Sequence, residues 1–72
     1  MKLKELLDVV HLGKQVSVND NMGVHIDTVS ISPVAEFTRA YECITPYLDS
    51  EVIMISTTPN NQLYVEIKDI LK

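Results

Sequence analysis

Three residues of this 72-residue chain, His25, Asp27 and Glu66, could stand on one sheet face in the combination that acid–base or metal chemistry needs. An imidazole with two carboxylates could share a proton with a substrate or hold a divalent cation. On a strand, His25 and Asp27 stand two apart and so share a face. The plainer reading of that spacing is a surface ion pair, and no catalytic residue is assigned. Cys43 follows Glu42, whose charge opposes thiolate formation, so it reads as a small structural residue rather than a nucleophile. No serine sits in a Gly-x-Ser-x-Gly elbow. The only two glycines, Gly13 and Gly23, are too few for a phosphate-cradling loop. The parts for an enzyme are missing, and no cofactor is expected.

Binding chemistry is better represented. Arg39 is the only arginine. Near Tyr41 it could clamp a carboxylate or phosphate while the ring stacks on a base. Lys14 and His11 are the other cationic groups available for such a ligand site. The competing account of Arg39 is an intrahelical pair with Glu36 or Glu42, three residues away on either side. The stretch Thr57-Thr58-Pro59-Asn60-Asn61 offers hydroxyls and amides for adaptable hydrogen bonds, or is simply a hairpin turn.

Composition narrows the setting. The chain is 46% hydrophobic and 22% charged, with net charge −4, which suits one globular domain over residues 1–72. A single cysteine makes no internal disulfide, and Cys43, His11 and His25 lie too far apart for a structural zinc. No metal is expected. Glu5 and Asp8 interrupt any apolar leader, and no run approaches the ~20 residues that span a bilayer. A cytoplasmic protein without membrane contact is expected. Between residues 15 and 66, Arg39 alone faces seven carboxylates. Such an acidic body repels phosphate backbones, which disfavours general nucleic-acid binding.

These residues must be positioned by short elements. Leu3, Leu6, Leu7 and Val10 recur on one helical face, predicting an amphipathic helix over residues 2 to 11 that Gly13 terminates. Alternation in Val16–Asn19 and Val24–Asp27 flanks the turn residues Asp20-Asn21-Met22-Gly23, predicting a hairpin over residues 15 to 31. The phase slips near Asp27-Thr28, as a bulge would cause. Ser32-Pro33 with Glu36 reads as a helix start. Val34, Phe37, Tyr41, Ile44 and Leu48 then mark its apolar stripe, and Pro46 stops the helix near Ile44. Residues 45 to 50 remain open between helix and loop. Residues 51 to 56 are apolar on both parities, as in a strand covered on both faces. After Pro59-Asn60-Asn61, residues 63 to 67 alternate, and residues 69 to 72 either continue the strand or fray. The expected fold is α+β: helix–hairpin–helix–hairpin with a four-stranded, mainly antiparallel sheet.

On that sheet Val16, Val18, Val24, Ile26, Val52, Met54, Leu63, Val65 and Ile67 are assigned to the helix-covered face. His25, Asp27, Ile53, Ile55, Tyr64 and Glu66 then share the other face with Ser17 and Asn19. That face is too apolar for solvent, so it is expected to meet a second copy of the chain or a ligand. Assembly would also add the buried area that so small a core lacks.

The segments Met1-Lys2-Leu3-Lys4-Glu5-Leu6-Leu7 and Gln15-Val16-Ser17-Val18-Asn19-Asp20 resemble those of small uncharacterised phage and prophage proteins of Gram-positive bacteria. So do Tyr47-Leu48-Asp49-Ser50-Glu51-Val52-Ile53-Met54-Ile55-Ser56 and Leu63-Tyr64-Val65-Glu66-Ile67. The resemblance carries no activity and no site residues. What it implies is a setting: a homo-oligomeric, stoichiometric binder that antagonises host defence. Such a protein would block a defence protein such as a CRISPR effector, or sequester a nucleotide messenger as a sponge. The alternative is a scaffolding homo-oligomer with no ligand.

Overall fold

The computed structural model describes residues 1–68 and, within them, every side chain except that of Glu36. The expected behaviour of residues 69 to 72, and a pair between Arg39 and Glu36, lie outside the described residues. Helix α1 (Leu3–Val9) buries Leu3, Leu6 and Leu7. The Glu5 carboxylate accepts from the Lys2 backbone N–H at 2.9 Å, satisfying a donor at the helix start. The helix ends at Val9 rather than near residue 11, and Val10 is already extended. Gly13, at φ +87°, serves the following turn instead of the helix end. Its N–H donates to the Ile31 carbonyl at 2.8 Å.

Strands β1 (Gln15–Asn19) and β2 (His25–Ser30) form the first hairpin. The Asp20 carboxylate accepts from Met22 N at 2.8 Å and Val24 N at 2.9 Å, which fixes the turn. Gly23 sits in it at φ +82°. The register slips between Val18 and Asn19, leaving Ile26 as the extra residue of a bulge.

The second helix departs from expectation. Ser32-Pro33 does not start it. A short 3-10 turn (Ala35–Phe37) comes first, and α2 (Arg39–Ile44) begins after Thr38. The Thr38 hydroxyl donates to the Ala35 carbonyl at 2.7 Å and accepts from Tyr41 N at 3.2 Å, so it both closes the turn and caps the helix. Phe37, expected in the apolar stripe, is out of phase with α2 and 85% exposed. A second 3-10 turn (Thr45–Tyr47) follows, built on Pro46.

Strands β3 (Val52–Thr57) and β4 (Leu63–Ile67) form the second hairpin. Together the strands make a four-stranded sheet in the order β2-β1-β4-β3. This sheet is mixed rather than mainly antiparallel, because its central pair, β1 and β4, runs parallel. Leu3, Leu6, Leu7 and Ile44 of the helices bury against Val16, Val18, Val29, Val65 and Ile67 in one core cluster. Both helices therefore lie on the same face, and among the described residues the opposite face is left open. A strand covered on both faces is not found at residues 51 to 56: β3 is an edge strand, and Ile53, Met54 and Ile55 are exposed.

Among the described residues the ion pairs are Met1 N-terminus–Glu51 (3.2 Å) and Lys4–Asp49 (2.9 Å). A hydrogen bond from Lys4 and its charge hold the Asp49 carboxyl below the usual carboxylate range. Among the described residues the buried Ser50 hydroxyl has no hydrogen-bond partner.

Candidate functional site: the open face of the sheet

Strand alternation turns Val16 and Val18 into the core and Ser17 and Asn19 to the open face. The fixed Asp20–Gly23 turn brings His25 opposite Asn19. His25 Nδ1 lies 3.2 Å from Asn19 Oδ1 and 3.3 Å from Ser17 Oγ, and its Nε2 lies 3.4 Å from Thr28 Oγ1. An amide oxygen only accepts, so the arrangement assigns a proton to Nδ1, with Nε2 free to accept from Thr28. Asn19 Nδ2 reaches the Ser17 carbonyl and hydroxyl at 3.2 Å and the Val65 carbonyl at 3.3 Å, tying β1 to β4. Parallel pairing then sets Tyr64 beside Ser17 and Glu66 beside Asn19. The Tyr64 hydroxyl donates to Glu66 Oε2 at 3.1 Å. Burial first, and then the bond to Glu66 with the charges of Glu66 and Asp20, push the Tyr64 phenol above its ordinary value. On the far side of β4, Ser56 stands opposite Tyr64 and Met54 opposite Glu66.

The bulges redistribute the residues expected on this face. His25, Tyr64 and Glu66 are there. Asp27 pairs with Val18 and shares its helix-covered side, because the bulge at Ile26 interrupts the alternation. Desolvation, and then the neighbouring Asp27 carboxylate, push the Cys43 thiol on α2 above its ordinary value. A second bulge, at Ile53, has the same effect on β3. Ile55 pairs with Val65 and joins the helix side, while Met54 moves to the open face. His25, Asp27 and Glu66 are thus not brought together. Among the described residues no group of three or more His, Cys, Asp or Glu side chains is placed to hold a metal.

The four residues read as a ligand set lie in two places. Lys14 follows the turn that contains His11, linked by Lys14 N to the His11 carbonyl at 3.2 Å. Arg39 and Tyr41 lie on α2, where Tyr41 is partly buried against the core. No ion pair joins Arg39 to Glu42 among the described residues. Lys14 Nζ donates to Asn61 Oδ1 at 3.0 Å, and Gln62 donates to Gln15. These contacts build a shallow polar groove between the start of β1 and the β3–β4 turn. Sequence reasoning missed that groove, since it joins residues about 47 apart. It also missed the prominence of Phe37, whose 3-apart spacing from Val34 mimics a helical stripe.

No family model, curated protein or solved structure matches the chain. No helix among the described residues is long and apolar enough to cross a membrane.

Proposed function

We propose that the chain is a non-enzymatic binding protein that acts stoichiometrically, with the open sheet face as its contact surface. The observation that supports this reading most is the state of Asn19. It lies on the face that no helix covers among the described residues, yet it is only 3% exposed, because the side chains around it interlock. A face held this way presents Tyr64, His25 and Met54 in set positions and loses little side-chain freedom on contact. The four strands carry no lysine or arginine, and with Asp27 on the helix-covered side Glu66 is the strand carboxylate of the open face. A partner with a basic surface fits that charge.

The resemblance to small phage proteins supplies the setting: antagonism of a host defence component in the cytoplasm. Between a nucleotide messenger and a defence protein, the protein is favoured, because Lys14 and His11 sit on a different segment from Arg39 and Tyr41 and among the described residues no hydrogen bond or ion pair joins the two pairs. A separate observation, the exposed Ile53, Met54 and Ile55 of β3, favours the second reading, a scaffolding homo-oligomer without a ligand.

The test is phage plating on bacteria that carry defined defence systems, including a CRISPR effector and a nucleotide-signalling system. Expression of the chain should restore plating against one of them. Tyr64→Ala and His25→Ala should abolish the effect while leaving the circular dichroism spectrum unchanged. Restoration that survives both substitutions would overturn the assignment of the open face, and no restoration in any system would remove the antagonist reading.

A further inference from the structure

The groove between the start of β1 and the β3–β4 turn is lined by Gly13, Lys14, Gln15, Asn60, Asn61 and Gln62. None of these residues is acidic, although the chain has ten Asp and Glu against six Lys and Arg. Lys14 gives the groove its formal charge. Other cationic groups of the molecule are already matched by carboxylates: Lys4 by Asp49 at 2.9 Å, and the amino terminus by Glu51 at 3.2 Å. Lys14 instead bonds a neutral amide, so its charge is left to act on whatever enters the groove.

Two bonds tie the walls together, and they decide what the groove has left to offer. Lys14 Nζ donates to Asn61 Oδ1 at 3.0 Å, and Gln62 Nε2 donates to Gln15 Oε1. An ammonium only donates, so Asn61 must turn its oxygen to Lys14 and its –NH2 elsewhere. The bond from Gln62 likewise occupies the Gln15 oxygen and spares the Gln15 –NH2. Among the described residues neither –NH2 has a partner. Lys14 keeps two further N–H groups. Donors therefore dominate the remaining capacity, with Gln62 Oε1 as the acceptor beside them. Such a set suits a group that only accepts and carries negative charge, as an ionised carboxylate does. A phosphate would bring up to two charges against this one cation, inside an acidic body.

The walls are set before a ligand arrives. Asn61 holds φ +61°, a conformation that Asn enters more readily than most residues. Its N–H donates to the Thr58 carbonyl at 3.0 Å, and Gln62 N donates to the Thr58 hydroxyl at 3.1 Å. On the other wall, Gly13 N donates to the Ile31 carbonyl at 2.8 Å and Ile31 N to the Lys14 carbonyl at 2.9 Å. Backbone fixed on both sides lowers the ordering cost of binding. The groove has a volume of about 220 Å³. Sites for drug-sized molecules begin near ~300 Å³, so this one takes a single small group.

We infer that this groove is a carboxylate-binding site, formed by Lys14 Nζ and the side-chain amides of Asn61 and Gln15. One carboxylate in so shallow a place binds weakly, with a Kd on the order of 1 mM. The carboxylate belongs either to a free small acid or to the C-terminus of another polypeptide, which clustered N–H donors capture in the same way. The site goes beyond the reading of the open face and does not depend on it.

The test is nitrogen-15 NMR of the full chain, titrated with an acetylated alanine tripeptide that has a free carboxyl end. The same tripeptide with an amidated end is the comparison, and sodium chloride holds the ionic strength constant. The side-chain –NH2 signals of Asn61 and Gln15 should shift and saturate with the acid and stay unmoved with the amide. Lys14→Gln removes a charge-assisted bond and should weaken binding by about tenfold or more. Asn61→Gly suits the positive φ, so the turn survives; it should weaken binding several-fold with the circular dichroism spectrum unchanged. Acetate separates the two sources. Affinity equal to that of the tripeptide assigns a free small acid, and affinity about tenfold lower assigns a chain terminus. No saturating shift at concentrations on the order of 100 mM overturns the inference. An equal response to the amidated tripeptide overturns it, and so does an affinity unchanged by Lys14→Gln. Tyr64→Ala and His25→Ala lie outside the groove, so their effect on plating tests the open face separately.

Discussion

The Tyr64 phenol is the group on the open face whose ionisation the fold opposes. Its raised pKa follows from burial and from the Glu66 carboxylate that accepts its proton. The neutral form is favoured in the native state, so the stabilising contribution is complete below the ordinary tyrosine value. It is lost as pH rises through the higher native value. Glu66→Gln keeps an acceptor but removes the charge, and should lower the Tyr64 titration toward its ordinary range. Carbon-13 resonances of the three tyrosine rings distinguish Tyr64 from Tyr41 and Tyr47; a titration unchanged by the substitution would show that the carboxylate plays no part. Ser50 presents the opposite case, a buried hydroxyl with no partner among the described residues. An unsatisfied buried group costs roughly 1–3 kcal/mol, so Ser50→Ala should stabilise the fold by about 1 kcal/mol. Urea unfolding measures this, and a loss of stability would mean that the hydroxyl does find a partner.

The elements were legible in the sequence wherever the signal was local. Period-two alternation marks β1, β2 and β4 to within a residue or two, and the leucine spacing marks α1. The Asp20–Gly23 turn is legible for a stated reason: Asp20 closes it with its side chain, and Gly23 takes the positive φ. A Cβ added at Gly23 would meet nothing within 4 Å. Gly23→Ala should therefore cost only backbone strain, about 1–2 kcal/mol. For a domain of this size each kcal/mol is roughly 4–8 °C in Tm. A thermal melt with no decrease would show that the turn relaxes freely. The start of α2 was misread because Ser32-Pro33-x-x-Glu36 has the residue types of a helix start, whereas the cap is Thr38. The Thr38 hydroxyl wins by making two bonds at once. The facing of β3 was misread because a bulge at Ile53 inverts the alternation without changing a single residue type.

For the whole molecule, the sequence carries the two hairpins but not how they join. Nothing local to residues 15 to 19 or 63 to 67 says that they run side by side and parallel. That contact is decided by which apolar faces can share one helical cover. The candidate site shows the same division. Ser17, His25, Tyr64 and Glu66 could each be assigned a face from parity, whereas the Asn19 bond to the Val65 carbonyl needs the central pair.

That central pair also governs when the molecule can exist during synthesis. β1 is made early, but its inner edge finds a partner only once β4 has emerged, since Val16 aligns with Leu63. Until then a nascent chain holds separate local hairpins and a helix whose leucines have half a core to rest on. Closure of so distant a pairing is slow compared with hairpin formation. Strand β4 thus acts as the keystone, and a chain halted before Leu63 emerges from the ribosome would expose the strand edges that the finished sheet conceals.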